Sequence, residues 1–70
     1  MKISYDPEVD ALYIRLLEGN YECEVIRLNE RVAINIGPEE QVVGIEIIDA
    51  SKILKGFKER QIHLENLIAV

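Results

Sequence analysis

Two segments of alternating apolar and polar residues constrain the fold of this 70-residue chain more than any other feature. They are residues 11–17 and residues 42–48. Their apolar residues share one face of each segment: Leu12, Ile14 and Leu16 in the first, and Val43, Ile45 and Ile47 in the second. A side-chain period of two is typical of strands that bury one face. The sequence therefore predicts two strands whose inner faces meet in one core.

Turn residues predict how the first strands connect. Asp6-Pro7 suits the first two positions of a type I turn, in which the Asp6 side chain accepts hydrogen bonds from nearby N–H groups. Gly19-Asn20 is a two-residue hairpin signal. The hairpin would place these residues opposite one another: Leu16 and Cys23, Ile14 and Val25, Arg15 and Glu24. Because this register matches apolar side chains on one face and opposite charges on the other, we expect the hairpin to form.

Two further segments complete the predicted sheet. Residues 3–5 supply a short first strand, and residues 32–36 alternate like the two segments above. Aligning the inner faces places Ile34 opposite Ile45 and Ile36 opposite Val43 in the predicted register. The predicted fold class is α+β, with an antiparallel five-stranded meander sheet and a short C-terminal helix packed on one face.

Asp49 is the predicted N-cap of that helix, because a short acceptor precedes helix-forming residues from Ala50 onward. Ile53, Leu54 and Phe57 would cover the inner face of the sheet. We therefore expect residues 1–57 to form a sheet-plus-helix domain.

Residues 58–70 form a C-terminal tail that we expect to pack on the domain or on a partner. Ile62 and Leu64 alternate as in a strand, whereas Leu64, Leu67 and Ile68 have helical spacing. The spacing of the apolar residues in this segment is compatible with both a helix and a strand.

Two motifs, taken together, resemble one family of small prokaryotic proteins, the domain of unknown function 2283. The first motif contains Tyr5, Asp6, Glu8, Asp10, Leu12, Tyr13 and Ile14; the second contains Val42, Val43, Gly44, Ile45, Glu46, Ile47, Ala50 and Ser51. The resemblance covers about residues 1–55. It implies the fold and no activity. Relatives encoded beside small toxin-like proteins favour a partner-binding role.

Composition limits the functions that this chain can have. A net charge of −5 disfavours nucleic acid and anionic membranes as partners, since both are negatively charged. No apolar run approaches the roughly 20 residues that span a bilayer, and no signal peptide follows Lys2. The expected location is therefore cytoplasmic. Cys23 and His63 are the single cysteine and histidine, which excludes an internal disulfide and multi-Cys/His zinc patterns.

Carboxylates offer the one alternative that involves chemistry. Asp6, Glu8 and Asp10 place three of them within five residues, and hard cations prefer such oxygen ligands. A carboxylate-dependent metal-binding protein or hydrolase that uses these three residues and Glu46 is therefore the alternative function. The turn that caps its own backbone explains the same residues, so we expect no catalytic residues, no metal and no cofactor.

Association is the function that the sequence favours. A 70-residue chain without a disulfide or zinc has a small core, yet 49% of its residues are hydrophobic. The surplus apolar surface calls for a second chain, either another copy in a homodimer or another small protein, as in a toxin–antitoxin pair. The predicted contact residues lie on the outer face and in the tail: Tyr13, Leu17, Ile26, Ile48, Leu64, Leu67 and Ile68. Tyrosine is enriched at interface hot spots, which makes Tyr13 the expected anchor.

Overall fold

The computed structural model of the chain describes residues 1–55, and their five strands form one antiparallel sheet. The strands are β1 (Lys2–Asp6), β2 (Ala11–Arg15), β3 (Glu24–Arg27), β4 (Val32–Ile36) and β5 (Val42–Ile48). A short 3₁₀ turn, Pro38–Glu40, joins β4 to β5, and helix α1 (Ala50–Ile53) follows β5. The predicted α+β class, with five antiparallel strands and a short helix, is confirmed. The tail, residues 58–70, lies outside the described residues.

The strand order is β1-β2-β5-β4-β3, so the predicted meander order is wrong. A meander would leave β5 at an edge of the sheet. In the observed order β5, the longest strand, lies at the centre between β2 and β4. The short strand β3, which carries Glu24 and Arg27, takes an edge instead. Charged side chains are well suited to an edge strand, because they face water there.

The predicted hairpin at Gly19-Asn20 does not form, since β2 pairs with β1 and β5 rather than with β3. Residues 16–23 instead connect β2 to β3 past the ends of β5 and β4. The N–H groups of Leu16 and Leu17 both donate to Val43 O, at 2.7 and 3.2 Å. Gly19 still adopts a positive φ of 107°, so the turn signal is real even though the flanking segments do not pair.

Residue pairs that depended on the hairpin are therefore also wrong. Cys23 is exposed rather than packed against Leu16. Arg15 of β2 pairs with Lys2 on one side and with Gly44 on the other. It is therefore not paired with Glu24 of β3, its predicted partner.

The pairing of β4 with β5 follows the prediction over most of its length. Ile34 lies opposite Ile45, as expected, and Val32 lies opposite Ile47. Ile36 pairs with Val42 rather than Val43, because the register shifts next to Asn35. The shift is a β-bulge, which leaves Val43 as an extra residue in β5.

Cross-strand pairing gives the sheet one strongly apolar face, which we call the isoleucine face. One row of paired residues on it crosses all five strands: Ile3, Ile14, Ile45, Ile34 and Ile26. The opposite side, which we call the tyrosine face, carries another row: Ser4, Tyr13, Glu46, Ala33 and Arg27. This register puts Ile26 on the isoleucine face and Val25 on the tyrosine face, the reverse of the prediction.

The buried core of the described residues is small. It consists of Leu12, Val43, Ala33 and Ala50, each less than 5% exposed. The central members of the isoleucine row are half-buried, whereas its ends, Ile3 and Ile26, are 51% and 45% exposed. Helix α1 reaches this face at one end only, where Ile53 and Val32 line the same open cleft.

Candidate functional site

The Asp10 carboxylate joins the two ends of the described chain. Its Oδ1 accepts a hydrogen bond from the Tyr5 hydroxyl at 2.6 Å and another from Ser51 N at 3.1 Å. Its Oδ2 accepts one from Ser51 Oγ at 2.7 Å. The Asp10 carbonyl also accepts from Ala50 N at 2.9 Å. We call this group of residues, Tyr5, Asp10, Ala50 and Ser51, the Asp10 junction.

The Asp10 junction changes how α1 begins. Asp49 stands at the N-cap position, as predicted, but its side chain makes no capping hydrogen bond. The first N–H groups of the helix are bonded to Asp10 instead, 41 positions from Ser51 along the chain. Asp10 and Asp49 both adopt left-handed backbone with φ of 53°, which aspartate tolerates better than most residues. The Asp49 carboxylate is turned toward Arg31, whose Nε lies 3.4 Å away.

The carboxylates of the first turn do not gather around a common point. Asp6 Oδ1 accepts from Glu8 N at 3.0 Å, which confirms the predicted capping of the turn. Asp10 is directed to the Asp10 junction. Within residues 1–55, no group of three or more His, Cys, Asp or Glu side chains is arranged to hold a metal ion. In this part of the chain, Asp6, Glu8 and Asp10 are therefore not gathered into one group of carboxylates.

Tyr13, the predicted interface anchor, is engaged within the sheet. Its ring lies across Gly44 of the neighbouring strand, and its hydroxyl accepts a hydrogen bond from Asn35 Nδ2 at 3.0 Å. A Cβ atom at position 44 would collide with the Tyr13 hydroxyl. Glycine at this position therefore lets one side chain link β2, β5 and β4. The sequence offered a signal for this contact, because glycine in a strand often marks close approach of another group.

The other predicted contact residues do not share one surface. Ile48 lies on the tyrosine face with Tyr13, Ile26 lies on the isoleucine face, and Leu17 belongs to the connection between β2 and β3. Leu64, Leu67 and Ile68 lie outside the described residues.

The edge strand β3 is the most exposed element of the sheet. All four of its residues are exposed. Val25 is 60% exposed, Ile26 is 45% exposed, and Leu28, which follows the strand, is 59% exposed. We call these three residues the β3 apolar strip. Sequence reasoning missed the strip because it placed β3 inside the sheet, between β2 and β4.

Comparison with known proteins identifies the family of this chain. The family model described as "Protein of unknown function (DUF2283)" matches residues 2–51, and the chain belongs to this family. The match spans all of the Asp10 junction and the Tyr13–Gly44 contact. No curated protein and no solved structure matched the chain. In the described part of the chain, no helix is long and apolar enough to cross a membrane.

The Asp10 junction predicts how stability depends on pH. The hydrogen bond to the Asp10 carboxylate, together with smaller effects of desolvation and nearby negative charge, raises the pKa of Tyr5 above its usual 10.0. A raised pKa in the folded state stabilises the fold below pH 10, and this contribution is lost as the pH rises through the folded value. Urea unfolding should therefore show native protein more stable than Tyr5→Phe near neutral pH, with the difference shrinking above about pH 10. A difference that does not change with pH would contradict the assignment.

The Tyr13–Gly44 contact predicts a coupled pair of substitutions. Gly44→Ala should destabilise the chain by roughly 1–3 kcal/mol, since the added methyl group displaces the Tyr13 ring and breaks its bond to Asn35. In a Tyr13→Ala background the same substitution should cost less, because the ring is absent. Urea denaturation of the four variants measures the coupling. Equal costs in both backgrounds would show that the ring does not occupy the space over Gly44.

Proposed function

We propose that this member of the DUF2283 family is a protein-interaction module that associates with a second chain through the β3 apolar strip. The observation that carries the proposal is the strip itself, in which large apolar side chains are exposed on both faces of one edge strand. Single exposed apolar residues are common on protein surfaces, but several along one edge strand favour an interaction site.

The unpaired backbone of an edge strand supports the same proposal. Within residues 1–55, β3 pairs with β4 alone, so its outer side presents N–H and C=O groups to solvent. Proteins commonly bind extended segments by adding a strand to such an edge. Apolar side chains on both faces of β3 would supply contact area beside the backbone hydrogen bonds.

The partner is either a copy of the chain or another small protein, as in a toxin–antitoxin pair. Contact through Tyr13, Leu17 and Ile48 stays a prediction, and so does contact through Leu64, Leu67 and Ile68. Tyr13 is the weaker candidate anchor, because its hydroxyl is already bonded to Asn35.

Charge substitution in the strip tests the proposal. A variant that carries both Ile26→Glu and Leu28→Glu should lose association, since binding would then bury two unpaired charges. Sedimentation velocity over a range of micromolar concentrations measures self-association, and co-purification from cells measures binding of a different protein.

Val9→Glu is the matched control. Val9 is 64% exposed in the turn between β1 and β2, at a distance from β3 along the sheet, so this variant should associate like the native chain. Equal loss in both variants would indicate a general charge effect. The proposal would be overturned if the native chain neither self-associates nor binds any partner that is lost when Ile26 and Leu28 are replaced by glutamate.

A further inference from the structure

The outer backbone of β3 has a defined set of groups that point away from the sheet. Leu28 N donates to Val32 O at 2.8 Å, which makes Leu28 and Val32 a hydrogen-bonded pair. Such pairs alternate with non-hydrogen-bonded pairs along an antiparallel ladder. Ile26 and Ile34 are therefore also hydrogen-bonded to each other. Val25 and Arg27 direct their N–H and C=O groups outward.

From this geometry we infer that the partner of β3 is the β3 of a second copy of this chain, paired antiparallel about a two-fold axis at Ile26. The inference rests on the proposed function and names its partner. In this register Val25 of each copy exchanges backbone hydrogen bonds with Arg27 of the other. Ile26 meets its own counterpart as a non-hydrogen-bonded pair, the arrangement with the closest side chains.

Face matching favours this register. A two-fold axis perpendicular to the sheet keeps each face continuous across the interface, so a residue must pair with one on the same face. Ile26 belongs to the isoleucine row, and pairing it with its counterpart joins the rows of the two copies into one apolar surface. Burial of adjoining isoleucines adds hydrophobic contact to the backbone hydrogen bonds.

Charge distribution favours an antiparallel copy. β3 begins at Glu24 and ends at Arg27, and neither takes part in an ion pair within residues 1–55. Antiparallel pairing places Glu24 of each copy opposite Leu28 of the other, and Arg27 opposite Val25, so no like charges face each other across the interface. Parallel pairing would bring like charges together. β1, the other edge of the described sheet, fits less well because Tyr5 is half-buried and its hydroxyl is bonded to Asp10.

A proline substitution separates edge pairing from folding. Val25→Pro removes an outward N–H that β4 does not use, so the fold should persist, as judged by circular dichroism and thermal unfolding. The dissociation constant of the dimer should rise about tenfold or more, since each interface loses hydrogen bonds in both copies. Val25→Ala removes the same side chain but keeps the N–H, and should bind more nearly like the native chain.

Disulfide trapping tests the register and does not depend on the proline variant. In a Cys23→Ser background, Ile26→Cys should form covalent dimers under mild oxidation, because Cα atoms of a non-hydrogen-bonded pair lie within disulfide range. Leu28→Cys, at a more exposed position but opposite Glu24 of the other copy, should cross-link much more slowly.

The outcomes separate this inference from the proposed function. Two results together would overturn the β3 pairing and leave association standing: dimers persist in Val25→Pro, and Ile26→Cys cross-links no faster than Leu28→Cys. A monomeric chain that binds a different protein through the strip would also overturn the second copy as partner. A chain that binds nothing through the strip would overturn both.

Discussion

The Asp10 carboxylate is the interaction on which the arrangement of this fold depends. A helix as short as α1 cannot satisfy its own first N–H groups, and its local N-cap side chain, Asp49, is directed elsewhere. Asp10 supplies the missing acceptors from the position just before β2, and the Tyr5 hydroxyl donates a hydrogen bond to its carboxylate. Because Asp10 precedes β2 and Ser51 follows β5, the bond fixes β2 beside β5 at the centre of the sheet. The buried Ala50 lets the two segments approach closely.

The two family motifs have a structural explanation in these contacts. Tyr5 and Asp10 belong to the first motif, and Ser51 belongs to the second, so the Asp10 junction exists only when both are present. Tyr13 and Gly44 connect the same motifs on the tyrosine face. Asp10, one of the carboxylates that suggest a metal site in the sequence, is thus engaged in holding segments of the chain together. The exposed edge strand β3, through which we propose association, lies outside both motifs.

Local patterns in the sequence predicted local structure well. The alternation of residues 32–36 and 42–48 gave the correct pairing of Ile34 with Ile45, and Asp6 caps its turn as expected. The predicted pairs β1–β2, β3–β4 and β4–β5 are present, whereas the predicted β2–β3 pair is wrong, because periodicity defines the face of a strand but not the strand beside it. The turn signal at Gly19-Asn20 predicted a hairpin of β2 and β3. In the structure β2 pairs instead with β5, which lies between β2 and β4. The error reversed the faces of Val25 and Ile26 and concealed the exposed edge. No pattern in the sequence indicated that Asp10 would cap a helix 40 residues later.

The most direct test of this account is a double-mutant cycle between Asp10→Ala and Ser51→Ala, measured by urea denaturation. Charge-assisted hydrogen bonds contribute about 1.5–3 kcal/mol, so the two substitutions together should cost less than the sum of their separate effects by about 1 kcal/mol or more. Pairing Asp10→Ala with Ser4→Ala provides the control, since Ser4 lies on the tyrosine face and should show no coupling. Additive costs for Asp10 and Ser51 would contradict the claim that this carboxylate joins the start of β2 to the residues that follow β5.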